Sequence, residues 1–201
     1  MSTHQLPRVV IVTGMSGAGR STAANAMEDS GWYVVDNLPA GMVTALCEVV
    51  AAAGYDKLAV VLDVRSRDLF GQVPVMFTEL QAKGIVPEIL YLEATDDVIV
   101  RRQDSARRPH PLQADGRLLD GIRRERDMLA ALRGAADLMI DTSRLNVHQL
   151  RSRVSHAFGA ERAEQLRMTV MSFGFKHGVP IDADFVMDVR FLPNPHWVPD
   201  L

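Results

Sequence analysis

A glycine-rich segment near the amino terminus constrains this chain more than any other feature. Residues 14–21 read GMSGAGRS and fit the pattern G-x-x-x-x-G-[K]-[ST], with Arg20 in the lysine position. The segment follows a short β-rich run, residues 8–13, and precedes a stretch of helical character that begins at Ser21. Between a strand and a helix, a glycine-rich turn of this kind presents backbone amides to phosphate groups. We therefore expect a phosphate-binding loop that joins the first strand to the first helix.

Each position of this segment has a physical role in holding a nucleoside triphosphate. The glycines permit positive φ and leave no Cβ between the phosphate oxygens and the backbone amides. The helix that follows directs its unpaired amides and the positive end of its dipole at the same oxygens. Ser21 offers a hydroxyl to Mg²⁺, and Arg20 places a cation beside the β- and γ-phosphates. The predicted nucleotide-binding residues of the loop are Gly14, Met15, Ser16, Gly17, Ala18, Gly19, Arg20 and Ser21.

Arg20 departs from the usual pattern, in which lysine stands before the serine. Arginine holds phosphate through its planar fork, but it is bulkier than lysine and presents its charge differently. We therefore expect binding to survive and hydrolysis to be slow or altered. The alternative is a loop that has decayed and no longer binds.

The pattern beyond the loop predicts an α/β domain. Four further β-rich runs, separated by helical stretches, predict strands at residues 32–35, 58–64, 86–92 and 137–140. The second strand is expected to end at a turn formed by residues 36–39. Strands that alternate with helices at this spacing form a parallel sheet with helices on both faces. The fold expected is therefore that of a kinase-like P-loop NTPase.

An arginine-rich insertion, at about residues 95–133, separates the fourth and fifth predicted strands. It includes a long amphipathic helix at about residues 115–133. Its first arginines resemble the mobile lid of small P-loop kinases, which closes on phosphates during transfer; they are Arg101, Arg102, Arg107 and Arg108. A plain solvated face is the competing interpretation. The members that we predict to bind the nucleotide are Arg102, Arg107 and Arg108.

Two aspartates lie where predicted strands end, on the edge of the sheet where the loop is expected: Asp63 near the end of the third strand and Asp36 just after the second. Asp63 is the expected acidic partner of Mg²⁺, through water, and so completes a metal site with Ser21. Its alternative is a plain aspartate at a strand end. Asp36 either binds a second substrate, a metal or a ribose, or caps the next helix. Together with Arg20, these two aspartates are the candidate catalytic residues.

Composition excludes several classes of protein. A formal net charge of -3 argues against binding to nucleic acid by bulk electrostatics. The single cysteine, Cys47, excludes an internal disulfide framework and a Cys-based zinc site. The apolar runs are far shorter than the roughly 20 residues needed to cross a bilayer, and the amino terminus lacks the pattern of a signal peptide. We therefore expect a cytoplasmic protein with no membrane association.

Several longer strings resemble the RapZ/YvcJ family of bacterial P-loop nucleotide-binding proteins, which includes RNase adapters. The resemblance runs from Val9 to the chain end and rests on VIVTGMSGAGRSTA, GWYVVDNLP, LDVRS, RRQDSARRPHPL and MSFGFKHGVPIDADFVMDVRFLPNPHWVPDL. It is closest to actinobacterial members, where arginine also occurs at the lysine position. It implies a kinase-like P-loop domain at residues 1–160 and a carboxyl-terminal domain that begins within residues 167–201. We expect that second domain to be truncated here.

The resemblance also implies a function. Members of the family are described as binding and hydrolysing ATP and GTP, so Mg²⁺ with ATP or GTP is the expected cofactor. Residues 14–21 would form the ATP loop, and the segment assigned to GTP would be Asp63, Val64, Arg65 and Ser66. Some members bind a small RNA or sense an amino-sugar metabolite through the carboxyl-terminal domain. An RNA or protein partner, and any oligomer, is therefore expected only of the full-length protein.

Three functions follow from these observations. The first is a regulatory nucleotide-binding protein with weak ATPase or GTPase activity. The second is a small-molecule or nucleotide kinase that uses Asp36 as base and the arginine loop as lid. The third is an RNA-binding adapter that uses the basic helix, residues 117–133. Base preference stays open, because the guanine-specific N-K-x-D loop is absent and residues 141–144, DTSR, do not match it.

Overall fold

The computed structural model describes residues 6–62, 71–106, 110, 112–113, 116–159, 173–174, 179, 185–188 and 191 of the 201-residue chain. The chain divides into two compact units, Met1–Glu161 and Arg162–Leu201. The strands and helices named below all belong to the first unit.

Strands and helices alternate along the first unit. The described strands are β1 (Arg8–Gly14), β2 (Tyr33–Leu38), β3 (Lys57–Leu62), β4 (Glu88–Glu93) and β5 (Leu138–Asp141). The described helices are α1 (Arg20–Glu28), a short 3₁₀ helix (Ala40–Met42), α2 (Val43–Ala52), α3 (Val73–Ala82), α4 (Asp96–Ala106), α5 (Leu118–Gly134) and α6 (Val147–Phe158).

The five strands form one parallel sheet in the order β2-β3-β1-β4-β5. β1 is central, and residues 9–12 of this strand are at most 1% exposed. A parallel strand covered on both faces is expected to be a continuous apolar run, which is how VVIV reads. The predicted α/β class with a parallel sheet is confirmed.

The connections between the strands explain how the helices are distributed. The crossover from β1 to β2 runs in one direction along the sheet, whereas the crossovers from β2 to β3, β3 to β4 and β4 to β5 run in the other. Since parallel crossovers are right-handed, α1 covers one face and the helices of the other crossovers cover the opposite face. α6 packs on α1, and Trp32 Nε1 donates to the carbonyl of Phe158 at 3.0 Å.

β2 corrects one sequence prediction. The turn expected at residues 36–39 is largely strand, because β2 continues as far as Leu38, which pairs with Leu62 of β3. The register shifts between Val35 and Leu38, and Asn37 has a φ of 56°. Asparagine tolerates this left-handed conformation better than most residues. The turn-forming composition therefore produces a bulge inside the strand instead of ending it.

Among the described residues, none of the helices is both long and apolar enough to span a membrane.

Candidate phosphate-binding site

The loop between β1 and α1 lies at the carboxyl edge of the sheet, where parallel α/β proteins bind their ligands. At its start the amide of Met15 donates to the carbonyl of Leu92 in β4 at 3.0 Å. Gly14 has a φ of 136°, and a Cβ at this position would lie 2.0 Å from the same carbonyl oxygen. Glycine is therefore required for β4 to approach the start of the loop.

The other end of the loop is formed by Gly19, which precedes α1 and has a φ of 101°. A Cβ here would lie 2.6 Å from Cδ2 of Leu150 in α6. Within the described part of the chain no side chain caps the helix, and the first turn of the helix holds no acidic residue. Among the described residues, the amides of Gly17, Gly19 and Ser21 donate to no protein atom. Such an uncapped helix terminus, next to free loop amides, attracts anions.

Two consecutive carbonyls of the loop are held from outside. Arg102 Nη1 donates to the carbonyl of Gly17 at 3.0 Å, and the hydroxyl of Thr142 lies 3.0 Å from the carbonyl of Ala18. Arg102 also donates to the hydroxyl and carbonyl oxygens of Thr142, at 2.9 and 2.7 Å. Across a trans peptide the carbonyl and the next amide point in opposite directions. Fixing the carbonyl of Ala18 therefore directs the amide of Gly19 away from Thr142.

A buried carboxylate holds the first half of the loop. Glu125 of α5 is 2% exposed, and both of its oxygens contact Ser16. The amide of Ser16 donates to Oε2 at 2.9 Å, and the hydroxyl of Ser16 donates to Oε1 at 2.6 Å. His110 Nε2 lies 3.1 Å from Oε2 and supplies the third hydrogen bond. The carboxylate is thus well satisfied although it is removed from water.

The hydrogen bonds of His110 identify its tautomer. The amide of Leu112 donates to His110 Nδ1 at 3.2 Å, so this nitrogen carries no proton. Nε2 therefore carries the proton and donates it to Glu125. Burial raises the pKa of Glu125, but the hydrogen bonds from His110 and from Ser16 outweigh burial and lower the pKa overall. Glu125 is consequently a carboxylate at neutral pH.

Arg20 and Asp36 both approach the carboxyl end of β3. Arg20 Nη1 contacts the carbonyl of Leu62 at 3.5 Å. Asp36 lies two residues before Leu38, the partner of Leu62 in the sheet, and its side chain is exposed. Asp36 Oδ1 accepts a hydrogen bond from the amide of Asn37 at 2.8 Å. The structure thus brings two of the three candidate catalytic residues to one edge of the sheet.

The remaining predicted site residues divide into two groups. Ser21 is exposed in the first turn of α1, next to the loop amides. The others lie outside the described residues: Asp63, Val64, Arg65, Ser66, Arg107 and Arg108. Their roles stay predictions.

Two of the lid-like arginines lie on α4, and the structure gives them different surroundings. Arg101 is exposed and pairs with Asp97 one turn earlier, which agrees with the interpretation of these arginines as a solvated face. Arg102 is half-buried and bonded to Gly17 and Thr142, so it supports the loop from the carbonyl side. Burial lowers the pKa of Arg102, which nevertheless stays far above neutral pH.

A cavity of about 400 Å³ opens beside these arginines. Its lining consists of Val98, Arg101, Arg102, Ser105 and Ser143. Because Arg102 also contacts Gly17, the cavity adjoins the loop. An open volume with one apolar wall, two guanidinium groups and two hydroxyls has the size of an ordinary small-molecule site.

Sequence reasoning missed Glu125 and Thr142 as site residues. Glu125 lies in the arginine-rich helix and was not singled out. A signal was nevertheless present, because Glu125 stands three residues after Ile122 and four before Leu129, inside the apolar stripe. Thr142 gave no such signal, since a threonine after a strand is common.

Solved structures share this fold. The described chain resembles a tunicamycin resistance protein of Deinococcus radiodurans, with a TM-score of 0.50 and 16% identity over 77% of this chain and 97% of that one. It resembles a shikimate kinase from Acinetobacter baumannii equally, with a TM-score of 0.50 and 15% identity over 77% and 93% of the two chains. Identities this low establish a P-loop kinase-like fold and nothing about substrates.

Relatives in sequence are much more similar. A protein of Cutibacterium acnes is 59% identical over 100% of this chain and 70% of its own length, and one of Streptomyces coelicolor is 54% identical over 98% and 66%. A protein of Streptomyces griseus is 54% identical, and this chain spans 60% of its length. All three are named nucleotide-binding proteins.

Family models cover nearly the whole chain. Residues 8–162 match the RapZ-like N-terminal domain, and residues 166–201 match the RapZ C-terminal domain. The expected resemblance is thereby confirmed, and so is the likeness to actinobacterial proteins. The chain belongs to the RapZ-like family of nucleotide-binding proteins.

Proposed function

We propose that this chain binds a nucleoside triphosphate with Mg²⁺ at residues 14–21 and hydrolyses it slowly, as a regulatory protein. One observation carries the proposal: Arg102 and Thr142 hold the carbonyls of Gly17 and Ala18, while the amides of Gly17, Gly19 and Ser21 have no acceptor in the described part of the chain. A set of amides beside an uncapped helix terminus is what several phosphate oxygens require.

The cavity beside Arg102 is suited to the base and ribose. Val98 offers an apolar contact, and guanidinium planes stack on aromatic rings. The polar groups near the base would be the hydroxyls of Ser105 and Ser143, which already donate within the chain, to the carbonyl of Arg101 and to Asp141 Oδ1. Their oxygens would accept from an exocyclic amine, which adenine and guanine both carry. We therefore propose that both ATP and GTP bind.

Mg²⁺ fits the chemistry of Ser21, whose hydroxyl is a hard oxygen donor in the first turn of α1 and would hold the ion. Asp63, which lies outside the described residues, is proposed from its place in the sequence as the partner that would hold the ion through water. The ion supplies positive charge that offsets the phosphates. The residues of the chain orient the triphosphate through the loop amides and keep its terminal oxygens near Arg20.

Arg20 accounts for slow hydrolysis. Lysine is a compact charge that can follow the β- and γ-phosphates, whereas a guanidinium is a broad plane with fixed donor directions. In this structure the guanidinium of Arg20 reaches the carbonyl of Leu62 at the end of β3. Arg20 would still provide the positive charge that helps to bind the triphosphate. It would stabilise the negative charge that develops in the transition state less well than a lysine.

Calorimetric titration of ATP and GTP, with and without Mg²⁺, tests the proposal. We expect binding that depends on Mg²⁺ and that weakens in Ser21→Ala. Ser152→Ala, an exposed serine on α6, is the matched control and should bind as the wild type does. Absence of heat with both nucleotides in the wild-type chain would refute the proposal.

A kinase is the second candidate, and the position of Asp36 favours it. An exposed carboxylate lies at the edge of the sheet near the residue that Arg20 contacts. A second substrate with a hydroxyl group could lose its proton to such a base. The kinase function predicts that one small molecule raises ATP consumption and is phosphorylated in equal amount. The regulatory function predicts no such stoichiometry.

The RNA adapter function receives less support from α5. Arg126 pairs with Asp96 at 2.6 Å, and Arg133 pairs with Glu93 at 2.8 Å, so these two charges are balanced within the chain. Binding of RNA, of a protein partner or of a further copy would therefore depend on other parts of the full-length protein. A cytoplasmic location remains a prediction from composition.

A further inference from the structure

We propose that Glu125 is a positioning residue for the phosphate-binding loop. Acting through Ser16, its carboxylate holds the loop in the shape that binds phosphate before any nucleotide arrives. The inference rests on the proposed function and adds to it a residue from outside the loop. Glu125 is buried, and both of its carboxylate oxygens contact the loop through Ser16.

The first argument is the cost of placing a carboxylate here. Glu125 is 2% exposed and occupies the stripe of α5 that also holds Ile122 and Leu129. A leucine would bury apolar surface at this position with no desolvation penalty, whereas an ionised carboxylate is costly to bury unless it is fully hydrogen-bonded. The donors that Glu125 receives therefore explain its presence better than packing does.

The second argument is the direction of the loop peptides. Because the amide of Ser16 points at Glu125, the carbonyl of Met15 points the opposite way. That carbonyl accepts the amide of Ala18 at 3.0 Å and closes a turn over residues 15–18. Gly17 lies within this turn, and its amide has no acceptor among the residues that the structure describes. Glu125 thus fixes the peptide that sets the turn, and the turn sets the direction of the amide that faces phosphate.

The third argument is that Glu125 accepts two hydrogen bonds from Ser16. With both the amide and the hydroxyl bound to one rigid carboxylate, Ser16 can neither rotate its peptide nor change its χ1 without breaking a hydrogen bond. His110 keeps the carboxylate from turning, since its Nε2 proton is donated to Oε2. The order serine, glutamate, histidine is not that of a nucleophilic triad, because the imidazole contacts the carboxylate and not the serine. The arrangement is an anchor.

Glu125→Gln tests this anchor with little change of shape. The glutamine keeps the shape but removes the negative charge that strengthens all three hydrogen bonds. Its NH₂ group must also donate to the Ser16 hydroxyl, which then has to turn its own proton away. Asp127→Asn, an exposed carboxylate on the same helix, is the matched control. The measurements are the dissociation constant for Mg²⁺-ATP by calorimetry and the hydrogen exchange of the Ser16 amide by NMR. Both are made at a temperature where the exchange protection of β1 shows that each variant is folded.

We expect Glu125→Gln to weaken Mg²⁺-ATP binding on the order of tenfold and to accelerate exchange of the Ser16 amide, while Asp127→Asn stays within about twofold of the wild type. A structural role alone would lower the melting temperature and leave the affinity of the folded protein unchanged. That result would overturn the inference. If Glu125→Gln does not fold, Ser16→Ala removes only the hydroxyl bond, and a loss of about threefold in affinity is then expected; an unchanged affinity would overturn the inference.

The wild-type titration separates the two possible failures. If the wild type binds neither ATP nor GTP, the proposed function falls and this inference falls with it. If the wild type binds and Glu125→Gln binds equally well, only the role of Glu125 is refuted. In a double-mutant cycle the loss of binding free energy in the double variant Ser16→Ala/Glu125→Gln should be smaller than the sum of the two single losses, because both substitutions remove the same contact. Full additivity would contradict action through Ser16.

Discussion

Glu125 and Ser16 are 109 positions apart in the chain, yet the two carboxylate oxygens of Glu125 accept hydrogen bonds from the amide and the hydroxyl of Ser16. The loop that carries the phosphate-binding pattern is therefore not shaped by its glycines alone. Arg102 and Thr142 hold its next two carbonyls. A local motif and three distant side chains together determine the direction of the free amides.

Glu125 also gives the stability of the fold a pH dependence of definite sign. The ordinary pKa of this carboxyl group is 4.5. In the folded state burial raises the pKa, but the hydrogen bonds from His110 and Ser16 lower it by more, so the net shift is downward. In the window between the folded pKa and 4.5 the unfolded chain binds more protons, so stability rises with pH there and is lost as pH falls through the folded pKa. In urea denaturation the free energy of unfolding should fall less steeply with decreasing pH in Glu125→Gln than in the wild type. The same dependence on pH in both proteins would contradict the shift.

Gly19→Ala should damage both the fold and the site. The new Cβ would lie 2.6 Å from Cδ2 of Leu150. In addition, Gly19 has a φ of 101°, which alanine adopts only with strain. We expect the free energy of unfolding to fall by about 2–4 kcal/mol, and we expect nucleotide binding to weaken as well. Gly134→Ala is the control, since Gly134 ends α5 and no described atom lies within 4 Å of the position of its Cβ. It should be neutral or stabilising by up to about 1 kcal/mol; similar losses in the two variants would refute the argument.

Thr142→Val should loosen the second half of the loop. The hydroxyl of Thr142 lies 3.0 Å from the carbonyl of Ala18 and 3.1 Å from that of Glu93, so its single proton is shared between them. Removing it should cost about 1–2 kcal/mol of stability and weaken binding of the triphosphate severalfold. Thr78→Val, on the exposed side of α3, should change stability by less than about 0.5 kcal/mol. Chemical denaturation and calorimetry measure the two effects, and wild-type affinity in Thr142→Val would show that this carbonyl needs no support.

Arg20→Lys should restore the usual pattern and accelerate hydrolysis. A lysine ammonium can leave the carbonyl of Leu62 and follow the terminal phosphates, so we expect single-turnover hydrolysis to rise on the order of tenfold with little change in affinity. Arg151→Lys, in an exposed ion pair with Asp29, is the control. A slower rate in Arg20→Lys would mean that the guanidinium itself serves the reaction.

The order of strands and helices was predictable because local patterns determine it. VVIV before a glycine-rich turn indicates a buried parallel strand, and Ile122, Leu129 and Leu132 at helical spacing indicate the face of α5 that packs on the sheet. β2 was predicted too short, because the turn-like composition of residues 36–39 concealed a bulge that only pairing with β3 reveals. Pairing is a tertiary interaction, and composition does not report it.

The glycine-rich loop between β1 and α1 was predictable, but the side chains that hold it were not. Each glycine of the loop has a local reason that sequence expresses, such as the positive φ at Gly14 and Gly19. The contact between Glu125 and Ser16 depends on how α5 packs against β1, and a single sequence states no such distance. Arg102 was predicted to bind the nucleotide, and in the structure it donates to the loop carbonyl of Gly17. The sequence did not indicate this contact, because it depends on how α4 packs beside the loop.

Titration of ATP, ADP and AMP into the wild-type chain with Mg²⁺ tests the central claim most directly. If residues 14–21 hold the β- and γ-phosphates, affinity should fall in the order ATP, ADP, AMP, by about tenfold or more for each phosphate removed. Equal affinity for ATP and AMP would place the binding energy on the base and ribose and contradict the account. Absence of binding by all three would contradict it outright.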